Sequence, residues 1–130
     1  MKKLVLTLIV VMFSQSFFAN ETENFLASAR SAYANENFEA AIVAYKNYIS
    51  SNSQKNLKDV YVELANCQFK LNKQEEAVDS IKTAILKYGF NEEDFIYNDK
   101  LEQETSSYVL SVLYDDLHQL QKQHKVLVMN

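Results

Sequence analysis

His118 and His124 are the residues of this chain best suited to hold a metal ion or move a proton. They stand six positions apart, which on a helix turns them about 120° from each other. They cannot share one metal on one face. Asp115 and Asp116 lie close to His118 in sequence, but adjacent helical positions point apart. Cys67 is the single cysteine, so no internal disulfide can form. It reads as a small buried apolar residue, or as a thiol open to an intermolecular disulfide. No neighbouring histidine or lysine activates it. One glycine, Gly89, is too few for a glycine-rich phosphate loop. The acidic runs Glu75-Glu76 and Glu92-Glu93-Asp94 fall at helix starts, where they favour the positive end of the helix dipole. No catalytic constellation is assembled, so the chain reads as not an enzyme, with no metal and no cofactor.

The elements that would position any site are helices. The chain has 130 residues, no proline, one glycine and no tryptophan. Tight turns of strand-rich folds use glycine and proline, so their scarcity points to an all-α fold. Hydrophobic residues make up 48%, enough for a packed core. The first residues stand apart from that core. Met1-Lys2-Lys3 is a positive start, Leu4 to Phe13 is apolar except Thr7, and small residues follow. This is the pattern of a secretory signal peptide. It spans 1–19 if cleaved after Ala19, with cleavage after Ser16 as the alternative. The apolar run is shorter than the ~20 residues of a membrane span. No cysteine follows it, so there is no lipid anchor of the bacterial lipoprotein type. Removal of 1–19 takes Lys2 and Lys3 and leaves 11 basic against 17 acidic residues, a net −6. Such a surface disfavours nucleic acid, which needs basic patches. The expected location is the bacterial periplasm or the exterior.

Residues 22–88 carry strong helical periodicity. Phe38, Ala41, Ile42, Tyr45, Tyr48 and Ile49 fall on one face, and so do Ala77, Val78, Ile81, Ala84, Ile85 and Tyr88. Residues 22–34 and 58–71 are apolar around more of their circumference, as helices with several neighbours are. Asn35-Glu36-Asn37 and Leu71-Asn72-Lys73 are short polar breaks, and 50–56 is a longer one. Asn72 followed by Glu75 has the spacing of a capping box. Short connections make neighbouring helices antiparallel. After Gly89, which suits a helix C-terminus, a short helix starts at Asn91. Asn98-Asp99-Lys100-Leu101 breaks it, and a longer helix is expected over 104–125.

The two helical pairs repeat each other at an offset of 36, from Ala41 to Ala77. Phe25 then falls on Tyr61, Ala29 on Ala65, Tyr33 on Phe69 and Tyr45 on Ile81. The stretch from Ala29 to Ile42 has an aromatic, a short polar turn, another aromatic and then an alanine. In this it resembles the tetratricopeptide repeat family. The second copy, Ala65 to Val78, departs from the pattern with Gln74 after the turn and Asn72 where glycine is common. The resemblance implies two antiparallel hairpins in a right-handed stack, 23–52 and 57–88, followed over 91–130 by a short helix and a capping helix. Domain 20–130 is then a single unit.

In that family the first helices of each pair line a groove. The resemblance places Leu26, Arg30, Tyr33, Val62, Asn66, Phe69 and Lys70 there, with Arg30, Asn66 and Lys70 able to hold a peptide carboxylate. It implies a protein or peptide partner and no small-molecule substrate. An alternative is a structural subunit of an envelope complex or a self-associating chain, suggested by the apolar end Val126-Leu127-Val128-Met129. A helical enzyme would need a deep pocket with strongly shifted titrating groups.

Overall fold

The computed structural model describes residues 21–129, so the expected signal-peptide segment lies outside the described residues. Seven helices and no strand occur among the described residues: α1 (Glu21–Ala34), α2 (Phe38–Ser51), α3 (Lys58–Lys70), α4 (Gln74–Tyr88), α5 (Glu92–Tyr97), α6 (Gln103–Leu113) and α7 (Leu117–Met129). The fold is all-α. Helix α1 packs on α2, α3 on α4, and α2 on α3, while α6 and α7 both lie against α4.

The 36-residue offset is reproduced in backbone geometry. Glu36 and Asn72 both take a φ of 60°. The Glu36 amide donates to Tyr33 O and the Asn72 amide to Phe69 O, each at 3.0 Å. The Asn37 amide reaches Ala32 O and the Lys73 amide Gln68 O, each at 2.8 Å. Both turns therefore reverse the chain through one left-handed residue. Asn72 is spent on that turn and not on a cap, so the expected capping box with Glu75 does not form. Helix α4 starts after Lys73 with no side-chain cap. The capping box occurs instead at α5, where Asn91 and Asp94 exchange side-chain bonds with each other's amides at 3.2 and 3.0 Å.

Alanines set the close helix approaches. Ala29, Ala41, Ala65 and Ala77 are all fully buried. Helix α3 sits between two cores, which accounts for its apolar circumference. Leu64 and Cys67 face α1 and α2 with Tyr45 and Ala41. Val62 and Ala65 face α4 and the C-terminal helices with Ile81, Phe90, Val109 and Leu113. Gly89, at φ 71°, ends α4. It turns Phe90 into the second core, edge-on to Phe95 at 4.8 Å between ring centroids.

The helix expected over 104–125 is two helices. The Asp116 amide bonds to Leu113 O at 2.9 Å, three residues back, and breaks the regular ladder at 114–116. After the bend, α7 follows α4, and His124 Nδ1 lies 2.8 Å from Leu86 O. No described helix is long and apolar enough to cross a membrane.

Candidate functional site

The face shared by α1 and α3 gathers the polar side chains the repeat pattern singled out. Arg30 and Glu63 form a two-pronged pair, Nε to Oε1 at 3.0 Å and Nη2 to Oε2 at 3.2 Å. The Glu63 carboxylate raises the Arg30 pKa through these bonds. The guanidinium remains about half exposed, and such a surface pair contributes about 0–1 kcal/mol.

One turn further along, Asn66 is 2% exposed. A buried amide needs partners, and both of its ends find them on one stretch of backbone. Its Nδ2 donates to Lys100 O at 2.7 Å. Its Oδ1 accepts from the Glu102 amide at 3.1 Å. The stretch that carries these groups is 98–102, between α5 and α6. It begins as a turn in which the Asn98 side chain accepts from the Lys100 amide at 3.0 Å. It ends extended at Glu102, with φ −69° and ψ 145°. The Glu102 carboxylate accepts a hydrogen bond from the Tyr33 hydroxyl. Its other oxygen lies 3.4 Å from Lys70 Nζ. Phe69 packs beside this site against Tyr108, at 5.6 Å between ring centroids.

The seven groove positions thus have different fates. Tyr33, Asn66 and Lys70 converge on the 98–102 segment. Phe69 flanks it on the α6 side. Arg30 is turned to Glu63. Leu26 is half-buried against the α1–α2–α3 core, and Val62 is fully buried. The side chain that ties the site together, Glu102, was not visible in the repeat pattern. The break at Asn98-Asp99-Lys100-Leu101 was legible, but nothing in its spacing tied residue 102 to residues 33, 66 and 70.

The site holds backbone and carboxylate groups and offers no activated nucleophile. Cys67 is fully buried, and burial, with Glu102 and Glu63 nearby, pushes its thiol up to about 12. Burial and the bond to Glu102 also drive the Tyr33 hydroxyl well above its ordinary value. Both groups stay protonated near neutral pH.

Elsewhere, an open cleft of about 420 Å³ lies between α2 and α4, lined by Lys46, Tyr61 and Asp79. The buried Gln68–Ser80 hydrogen bond, at 2.6 Å, is part of its floor. A second cleft of similar size lies by Gly89 and His124. His118 is exposed, and no group of three potential metal ligands occurs among the described residues. Comparison with protein-family models, with curated proteins and with solved structures finds no match for this chain.

Proposed function

We propose that this chain is a non-catalytic protein-binding module of the bacterial cell envelope, a tetratricopeptide-like pair of hairpins closed by C-terminal helices. The observation that carries the reading is the α1–α3 face, where Asn66, Tyr33 and Lys70 grip a short stretch of polypeptide by its backbone and one carboxylate. A surface that holds one such segment has the chemistry to hold another. The matching turns at Glu36 and Asn72 support the repeat assignment. The basic, then apolar, then small-residue pattern of 1–19 supports export.

Affinity capture from cell-envelope extract tests this reading, with the mature chain beside a folded Tyr33→Phe/Lys70→Ala variant. The expected result is a protein retained by the wild type, lost by the variant, and bound again when purified. Retention by both chains would move the interface off this face.

A second reading is favoured by the C-terminal end. Ile96, Tyr97, Tyr114, Leu127 and Met129 are each more than 60% exposed. Large apolar side chains left in water suit a subunit that docks into an assembly or onto itself.

A further inference from the structure

The segment 98–102 occupies the α1–α3 face as a bound peptide would. Asn66 hydrogen-bonds to its backbone, donating to the carbonyl of one residue and accepting from the amide of the residue two positions on. Such a grip is indifferent to side chains. Leu101, between those two groups, is half-buried against the second core. Glu102 then supplies a carboxylate to a hydroxyl and an ammonium. An asparagine this buried contributes to an apolar interior only when paired, and the pairing here is with a loop.

The loop is held unevenly. Its flanks are fixed: Phe95 is buried on Phe90, Ser106 Oγ donates to Phe95 O at 2.8 Å, and Val109 is fully buried. The carboxylate end is open, because Lys70 and Glu102 are 37% and 35% exposed. Exposed ion pairs exchange readily. Release of 98–102 therefore leaves Phe95 and Val109 in place and gives up at α6 only its first bond, from the Ser106 amide to Glu102 O at 2.9 Å.

Resting on the binding-module reading above, we infer that residues 98–102 are an internal stand-in for the partner's peptide. The partner presents an extended segment whose backbone takes over the Asn66 bonds and whose acidic side chain replaces Glu102 between Tyr33 and Lys70. The tethered segment competes at an effective concentration on the order of millimolar. An outside peptide therefore binds weakly until the tether loosens.

The test uses a fluorescent peptide of residues 96–104, blocked at both ends, titrated by anisotropy into the mature chain and into its Glu102→Gln variant. The variant should bind about tenfold tighter than the wild type, since its site is open more of the time. Lys70→Ala added to that variant should reverse the gain. A peptide itself carrying Glu102→Gln should bind about tenfold more weakly than the acidic one. Nuclear magnetic resonance of the wild type gives a readout that needs no variant to fold. Saturating acidic peptide should shift the Asn66 side-chain amide and the Glu102 backbone amide. Equal affinity of wild type and a folded Glu102→Gln variant overturns the inference. So does equal binding of the two peptides, or an Asn66 amide unmoved at saturation. These failures leave envelope capture intact. Loss of capture with peptide competition preserved would instead remove the envelope partner alone.

Discussion

Four titrating groups sit above their ordinary values for one physical reason. Tyr33, Tyr45 and Tyr61 have an ordinary value of 10.0 and Cys67 one of 9.0, and burial raises all four. Ionising them inside the fold would place negative charge in a low-dielectric interior. Above about pH 9 the unfolded chain gives up protons that the folded chain keeps, so stability falls as pH rises. The stabilisation is complete below the unfolded values and is lost as pH climbs through 9 toward 12 and beyond. Urea midpoints should therefore drop steadily from about pH 9 to pH 11. Cys67→Ala should delay the start of that drop. A midpoint flat to pH 11 would mean these groups reach water in the folded state. Cys67 as a buried residue was legible from its place on an apolar helix. The role of Asn66 was legible only in part. The resemblance to the repeat family put it on the α1–α3 face, but the backbone it binds lies 34 and 36 residues downstream.

At the scale of the element, the end of α4 depends on Gly89. Its φ of 71° disfavours any side chain, and an added Cβ would lie 2.9 Å from His124 Nε2. Gly89→Ala should cost about 1–2 kcal/mol from the left-handed backbone alone, with the His124 contact adding to it. Urea denaturation of Gly89→Ala, His124→Ala and the double variant separates the two. The double variant should be more stable than the sum of the single losses predicts. Strict additivity would show that the ring moves aside freely. The glycine was legible as a helix end, since it adopts that backbone with no Cβ penalty. The turns at Glu36 and Asn72 were legible as breaks; asparagine tolerates the left-handed conformation found at Asn72, but glutamate gives no such signal at Glu36. The break at 114–116 was hidden for a related reason. Leu113 and Leu117 keep helical spacing across it, so the apolar pattern runs on while the backbone bends.

At the scale of the whole molecule, the apolar end of α7 tests the second reading. Val126, Leu127, Val128 and Met129 are 54–84% exposed, so removing them takes little from the core. Deletion of 126–130 should leave the stability read by thermal unfolding nearly unchanged, within about 0.5 kcal/mol of wild type. Under the groove reading, sedimentation finds a monomer with and without the tail. A mass that falls on deletion assigns the tail to assembly.

The sequence by itself determined the helical class, the two hairpins and their 36-residue offset. Those follow from local rules: apolar spacing of 3.6, scarce glycine and proline, and short polar turns. Only the tertiary structure decided what covers the α1–α3 face. Placing 98–102 over Tyr33, Asn66 and Lys70 requires the C-terminal helices to fold back and bury Val109, Leu113 and Leu117 against α4. That is a long-range packing choice, and no local pattern encodes which face a distant segment will meet.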